Sequence, residues 1–189
     1  MIVVVGVGAL GSHVVLFLRN VETDLRIVDL DRVEQKNVLA QFHGKPGVGK
    51  NKTQSLQQTM QFLYGVKLTT IPHKLVSDNA RELLSGADLV IDCLDDGPSR
   101  EVVQGFVREN EIPCLHGAMS ADGIFGRVCW DEYFVIDSAD VAGAPTCEGG
   151  EHLPFIGVVS ALLARSAQEF LHTGKKKGYE YSPGGVIIT

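Results

Sequence analysis

Six residues near the amino terminus, GVGALG at positions 6–11, constrain the fold of this chain more than any other segment. They follow an apolar strand pattern, Ile2–Val5, and lead into a segment with helical spacing, Leu10–Arg19. Gly6 permits a tight turn, Gly8 lets backbone N–H groups approach a phosphate, and Gly11 lets the helix pack closely on the strand. Because the positive end of the helix also faces the anion, the loop predicts a nucleotide-binding unit. It does not distinguish NAD, FAD, S-adenosylmethionine or ATP.

Strand and helix patterns alternate along the first two thirds of the chain. Strands are predicted at Leu25–Val28, Val66–Ile71, Asp88–Cys93 and from Cys114, and helices at Lys50–Leu63, Asn79–Leu84 and Ser99–Arg108. This alternation predicts an α/β, Rossmann-like, doubly wound sheet that is mostly parallel. Ile124–Trp130 and Tyr133–Ile136 then predict an antiparallel hairpin, and Ile156–Leu171 predicts a C-terminal helix. No domain boundary is evident, so we expect residues 1–189 to form one domain.

Composition excludes several classes of protein. The net charge is −6, so no basic face for nucleic acid is expected. No apolar run approaches the roughly 18 residues that span a bilayer. The chain starts in a strand without a basic leader, and its four cysteines form no CxxC pair. We therefore expect a cytoplasmic protein that binds neither membrane nor nucleic acid.

Two aspartates, Asp29 and Asp31, close the second predicted strand. A carboxylate at this strand end can accept hydrogen bonds from ribose hydroxyls. A helix follows here in an ordinary dinucleotide-binding fold, but the next residues are the polar run 35–37 and then 38–41. This segment distinguishes the chain from a plain dinucleotide-binding protein.

Five ordered blocks resemble the ThiF/MoeB/HesA family of adenylating enzymes, which are related to ubiquitin-activating enzymes. The blocks are DLDRVEQKN (29–37) with Gln41, GVGKNK (47–52), DCLDDGPSR (92–100), IPCLHGAMSADGIFG (112–126) and GVVSALLARSAQEFL (157–171). The resemblance covers nearly the whole chain and implies a single ThiF-like ATP-binding adenylyltransferase domain. Such an enzyme attacks the α-phosphate of ATP with a carboxylate, which requires neutralised phosphates, a metal site and an aligned acyl group.

The resemblance assigns roles to particular residues. Asp95 would bind Mg²⁺, Lys52 would neutralise phosphate, and Arg100 would orient Asp95 or bond phosphate. Asn37 and Gln41 would bond phosphate or ribose oxygens, so the polar segment would be a second wall of an ATP pocket. The residues implied to bind ATP are Gly6, Gly8, Ala9, Gly11, Asp29, Asp31, Asn37, Gln41, Lys52, Asp95 and Asp96.

Several positions depart from the family pattern. Ala40 stands where the family has an arginine, and an arginine on phosphoryl-transfer charge is worth about 10³–10⁵ in rate. Asp96 replaces an asparagine, and the N-terminal extension that supplies a partner's arginine in family dimers is not expected. The CxxC pairs of the family's structural zinc site are missing, so no zinc is expected. Cys147 occupies the loop where some relatives place a cysteine that joins covalently to the carrier.

Simpler interpretations of these residues stay open. Lys52 could be a solvated surface lysine, and Asp95 and Asp96 could cap the helix that follows them. Arg100 could be a structural ion-pair partner, and Cys147 an inert thiol. His116 and His152 fit packing or surface positions better than acid–base roles. Lys175–Lys177 fit a solvated helix end better than a binding patch.

The resemblance implies an ATP-dependent adenylyltransferase that activates the C-terminal glycine carboxylate of a carrier protein.

 The carrier would be a small ubiquitin-like sulfur carrier protein of the ThiS or MoaD kind that ends in Gly-Gly. It would deliver sulfur for thiamine or molybdopterin synthesis. A homodimer is implied as well. A second hypothesis is a catalytically weak subunit that binds nucleotide or carrier without turnover, which Ala40 favours. A third is an NAD-dependent oxidoreductase, which the glycine loop and Asp29 allow but which leaves Lys52 and Asp95 unexplained.

Overall fold

The structure, a computed structural model, describes residues 1–136 and 150–189. The strands are β1 (Ile2–Val5), β2 (Leu25–Val28), β3 (Leu68–Ile71), β4 (Leu89–Asp92), β5 (Cys114–Met119), β6 (Gly126–Trp130), β7 (Tyr179–Ser182) and β8 (Gly185–Ile188). The helices are α1 (Ala9–Phe17), α2 (Lys52–Tyr64), α3 (Ser77–Leu84), α4 (Gly97–Glu109) and α5 (Leu153–Thr173). Short 3₁₀ turns lie at Gln35–Asn37, Lys45–Gly47 and Asp131–Tyr133.

All of these strands belong to one sheet, in the order β3-β2-β1-β4-β5-β6-β7-β8. The pairs from β3 to β5 are parallel, and the pairs from β5 to β8 are antiparallel. The carboxyl ends of β1, β2 and β4 therefore meet at one edge of the sheet, where open α/β sheets bind their ligands.

Both faces of the parallel half are covered by helices. On β1, Ile2 and Val4 join a core with α1, α2 and α5, whereas Val3 and Val5 join a second core with α3 and α4. Successive side chains of a strand point to opposite faces, so a continuous apolar strand supplies both cores. The α/β, doubly wound fold expected from the sequence is confirmed.

The antiparallel half differs in detail from the sequence prediction. The hairpin strand predicted at Tyr133–Ile136 is wrong, because the chain forms a 3₁₀ turn at Asp131–Tyr133 and no strand at residues 134–136. The side chain of Asp131 is held there by Arg108 and Gln104 of α4, which are distant in sequence. Consecutive strands pair antiparallel as β5–β6 and as β7–β8, and the β7–β8 turn at residues 183–184 carries the Pro-Gly signal typical of a turn.

Helix ends follow ordinary capping chemistry. Asn51 accepts a hydrogen bond from the Thr53 N–H at the start of α2, which ends at Gly65 with a φ of 70°. The end of α5 is Gly174, with a φ of 69°. Beyond it, Lys176 pairs with Glu132, and Lys177 pairs with Glu169 at 2.5 Å, so the basic run includes structural ion pairs.

Candidate active site

The glycine loop joins β1 to α1 and needs glycine at two positions for steric reasons. Gly6 has a φ of +82°, and a Cβ there would lie 3.0 Å from the carbonyl oxygen of Cys93. A Cβ at Gly11 would lie 1.9 Å from the carbonyl oxygen of Gly6. The loop therefore packs against the turn after β4 on one side and against the first turn of α1 on the other.

The amino-terminal end of α1 is open toward the sheet edge. Its N-cap residue is Gly8, which has no side chain to cap the helix. A Cβ at Gly8 would approach only the Gln41 side-chain nitrogen, at 4.0 Å. The first-turn N–H groups, from Gly8 to Gly11, have no partner within a helix, and together with the helix dipole they favour an anion.

Both backbone polar groups of Val7, in the glycine loop, are hydrogen-bonded to side chains. Its N–H donates to Asp29 Oδ2 at 2.8 Å, and its carbonyl accepts from His43 Nε2 at 2.9 Å. Because a carbonyl can only accept, His43 carries its proton on Nε2. Burial, together with the nearby charge of Lys52, lowers the pKa of His43 to about 4. The neutral imidazole is therefore the form that fixes the loop.

Lys52 lies at the start of α2 among carboxylates from two strand ends. Its Nζ donates to Asp31 Oδ2 at 2.8 Å, and its side chain is 9% exposed. Burial opposes its charge, but the carboxylates of Asp29, Asp31 and Asp95 raise its pKa. Lys52 is thus a protonated, mostly buried lysine, and the structure places it near Asp95, at the carboxyl end of β4.

Asp95 and Asp96 differ in their contacts although both are exposed. Asp96 caps α4 by accepting a hydrogen bond from the Ser99 N–H at 2.9 Å. The described residues offer no hydrogen-bond partner to the Asp95 carboxylate. Mg²⁺ prefers carboxylate oxygens, keeps several waters and is held through one or two carboxylates plus substrate phosphates. The donor chemistry of Asp95 beside Lys52 fits such an ion.

Arg100 points into the protein. Its Nη1 lies 3.3 Å from Asp92 Oδ2, and its Nη2 donates to the carbonyl oxygens of Leu94 and, at 2.8 Å, of Gly117. The guanidinium also lies over the ring of Phe134, with its carbon 5.2 Å from the ring centroid. Among the described residues these are structural contacts, and they place Arg100 behind the turn that carries Asp95.

The polar segment after β2 forms a wall near the glycine loop. Asn37 is buried and accepts the Glu34 N–H at 2.9 Å through Oδ1. Gln41 is 6% exposed, and its Oε1 has no hydrogen-bond partner among the residues described. A buried amide oxygen without a partner costs free energy, so Gln41 is well placed to accept a hydrogen bond from a ligand. Ala40 is fully buried in the core.

Sequence reasoning missed Asn51, which ties the site together. Its Nδ2 lies within hydrogen-bond distance of the carbonyl oxygens of Asp29, Leu30 and Asp31, at 3.1, 3.0 and 3.1 Å. An asparagine within the first residues of a predicted helix is a capping signal and could have marked it. His43 was also missed, and it carries no local signal.

Cys147, the cysteine with a predicted role, lies outside the described residues. The other cysteines are free, and burial raises the pKa of Cys93, Cys114 and Cys129. A raised thiol pKa disfavours the reactive thiolate. These three side chains therefore serve as small buried groups. No helix in the described part of the chain is long and apolar enough to cross a membrane.

The fold and site together define an α/β protein in which a glycine-rich loop opens a helix and a buried lysine lies among carboxylates at the same sheet edge. Comparison with known proteins identifies the family: the ThiF family matches residues 1–179, and the chain belongs to it. The sulfur carrier protein adenylyltransferase of Thermus thermophilus is 36% identical over 121 residues, which cover 62% of this chain and 45% of the relative. The molybdopterin-synthase adenylyltransferase of Salmonella typhimurium is 27% identical over 184 residues, which cover 92% of this chain and 74% of the relative.

The fold is also found in solved structures. The crystal structure of E. coli MccB with ATP matches with a TM-score of 0.78 at 17% identity, over 100% of this chain and 62% of that one. At this identity the likeness shows the fold alone. The chain spans less than half the length of several relatives, 41% of one and 45% of another.

Proposed function

We propose that this protein is an ATP-dependent adenylyltransferase. Its substrate would be the C-terminal glycine carboxylate of a small ubiquitin-like sulfur carrier ending in Gly-Gly, activated for sulfur transfer in thiamine or molybdopterin synthesis. Membership of the ThiF family and the adenylyltransferase activity for which the relatives are named support this proposal. The structural observation that carries it is the mostly buried Lys52, which donates to Asp31 and whose pKa the charges of Asp29, Asp31 and Asp95 raise, at the sheet edge where α1 begins.

Each group has a task that its position supports. The open N–H groups of α1 would bind phosphate oxygens, and Lys52 would neutralise phosphate as a point charge. The Asp29 carboxylate accepts one hydrogen bond from the Val7 N–H and another from the Asp31 N–H. A carboxylate has about four acceptor positions, so Asp29 can still accept from ribose hydroxyls.

In the proposed reaction a glycine carboxylate oxygen attacks the α-phosphorus of ATP. One phosphorus–oxygen bond forms to the carboxylate, the bond to the β-phosphate oxygen breaks, and pyrophosphate leaves. Asp95 would hold a magnesium ion that, when bound, neutralises the charge developing on the phosphates. The other roles expected from the resemblance, for Ala9, Asn37, Gln41 and Asp96 in ATP binding and for Arg100 and Cys147 in catalysis, remain predictions.

Exchange of labelled pyrophosphate into ATP tests this function. We expect exchange that depends on both the carrier and magnesium. A carrier lacking its last glycine should support none, and Asp95→Asn should reduce the rate strongly while the protein stays folded. Absence of exchange with every Gly-Gly carrier tried would contradict the proposal.

One observation favours a second candidate, a subunit that binds nucleotide without turnover. Ala40, which the resemblance places where the family has an arginine, is 0% exposed. Loss of an arginine that acts on the transition state would cost about 10³–10⁵ in rate. Tight binding of Mg–ATP combined with no pyrophosphate release, even with carrier present, would select this candidate over the enzyme.

The organisation of the protein is part of the same proposal. Residues 1–189 would form a single ThiF-like domain, and two copies would pair as a homodimer in the cytoplasm. Light scattering coupled to size-exclusion chromatography tests the dimer, which should have twice the chain's 20.4 kDa. A monomer at micromolar concentration would contradict it.

A further inference from the structure

A cluster of charged side chains, buried except for Arg108, lies behind the turn that carries Asp95. We call it the His116 cluster, and it consists of His116, Asp92, Asp131, Arg100 and Arg108. His116 on β5 is 0% exposed; its Nδ1 lies 2.7 Å from Asp92 Oδ2, and its Nε2 lies 3.1 Å from Asp131 Oδ1. The acids come from different elements, since Asp92 ends β4 and Asp131 follows β6.

The geometry requires a doubly protonated ring. A neutral imidazole has one N–H, yet both nitrogens of His116 face carboxylate oxygens, so each must donate. Burial opposes the charge, but the hydrogen bonds and charges of Asp131 and Asp92 outweigh it and raise the pKa of His116. Its ring also stacks on Phe134 with centroids 4.2 Å apart, and Cys114 Sγ lies 3.4 Å from Nε2.

The His116 cluster contacts the backbone of Leu94, the residue directly before Asp95. Asp92 Oδ1 accepts the Leu94 N–H at 2.9 Å, and Arg100 donates to the Leu94 carbonyl. Arg100 in turn lies 3.3 Å from the same Asp92 oxygen that His116 contacts. Leu94 directly precedes Asp95, so Asp92 holds the Cys93–Leu94 peptide and Arg100 holds the Leu94–Asp95 peptide.

We propose that His116 is a positioning residue: it fixes Asp92, and through Asp92 and Leu94 it sets the direction of the Asp95 carboxylate toward bound magnesium. The proposal rests on the proposed function, since it assigns the metal to Asp95. The proposed positioning role of His116 does not involve the residues of the glycine loop. Without His116, Asp92 and Asp131 would keep only Arg100 and Arg108 as charged partners, and Asp92 Oδ2 would lose its closest contact, the one at 2.7 Å to His116 Nδ1.

Calorimetry of ATP binding, with and without magnesium, measures this effect as the ratio of the two dissociation constants. Asp95→Asn should remove the gain that magnesium gives in the wild type. His116→Gln should reduce that gain by about 10-fold, as is typical when a group supporting a metal ligand is removed. Affinity for metal-free ATP should stay within about 3-fold, because the glycine loop and Lys52 are untouched.

A matched control separates positioning from general loss of stability. Gln104 donates to the same Asp131 oxygen at 2.9 Å but makes no contact with Asp92 among the described residues. Gln104→Met should destabilise the protein and leave the magnesium gain unchanged. If His116→Gln does not fold, Asp92→Asn is the second variant: it keeps an oxygen for the Leu94 N–H, loses the charge, and should lose the gain.

The outcomes distinguish the proposed metal role of Asp95 from the proposed positioning role of His116. A wild type without ATP binding, or an Asp95→Asn variant with the full magnesium gain, would overturn the proposed metal role itself. Loss of the gain in Asp95→Asn but not in His116→Gln or Asp92→Asn would overturn the positioning role alone. Nitrogen NMR of the ligand-free protein at pH 7 gives a further readout: His116 should show two protonated ring nitrogens, and a neutral ring would also overturn the positioning role.

Discussion

Alanine at Gly11 and alanine at Gly105 should change stability in opposite directions. Both glycines lie within helices, Gly11 in α1 and Gly105 in α4. A Cβ at Gly11 would lie 1.9 Å from the Gly6 carbonyl oxygen, whereas a Cβ at Gly105 would meet nothing within 4 Å. Glycine to alanine therefore causes a steric clash at position 11 and none at position 105.

The magnitude follows from two opposing effects. Alanine is favoured over glycine in a helix interior by about 1 kcal/mol. At Gly105 only this effect acts, and the free energy of unfolding should rise by about 0.5–1 kcal/mol. At Gly11 the obstacle is backbone, which cannot swing away as a side chain does, and forced overpacking costs about 1–3 kcal/mol. We expect a net loss of about 2 kcal/mol and a Tm lower by about 4–8 °C for a chain of this size.

Thermal unfolding by circular dichroism, supported by urea titration, measures both variants. Gly11→Ala should also bind ATP more weakly, because a shift of α1 moves the N–H groups of its first turn. A Gly11→Ala protein as stable as Gly105→Ala would refute the reasoning, since it would show that the loop and helix are not in close contact.

Three further predictions concern the site. Lys52→Met should weaken ATP binding by about 10–100-fold in calorimetry, since hydrogen bonds to charged groups contribute about 1.5–3 kcal/mol; unchanged affinity would place Lys52 away from phosphate. Asp96→Ala should lower stability by about 1 kcal/mol through loss of the α4 cap, whereas Asp95→Ala should leave stability nearly unchanged in the same urea titration. His43, with a pKa of about 4 when folded against an ordinary 6.5, favours the native state fully above pH 6.5, and its contribution is lost as pH falls through 4. Between these values the unfolded state binds more protons, so stability should drop by up to about 3 kcal/mol; His43→Gln should show a shallower decline, and equal slopes would contradict this.

Much of the parallel half of the fold could be predicted from the sequence because its signals are local. Ile2–Val5 is a continuous apolar run, and glycine at 11 is required by a contact with Gly6, which is close in the chain. The helix bounds shifted by a few residues where caps decide them, as Asn51 does for α2 and Asp96 does for α4.

The antiparallel half and the support of the site could not be predicted as well, because their contacts join distant residues. Tyr133–Ile136 has strand-like composition, but the Asp131 side chain is bound by α4 and His116, which favours a turn. His116 fits a packing histidine by sequence alone, and only the fold brings two acids to its ring. Likewise, His43 meets the Val7 carbonyl 36 residues away.

Titration calorimetry of the wild type with Mg–ATP tests the central claim most directly, namely that the edge beside β1, β2 and β4 binds a triphosphate through α1, Lys52 and Asp95. We expect one saturable site per chain for Mg–ATP, a lower affinity for ATP when magnesium is omitted, and no comparable heat with NAD. A flat trace for Mg–ATP, or tighter binding of NAD, would contradict it.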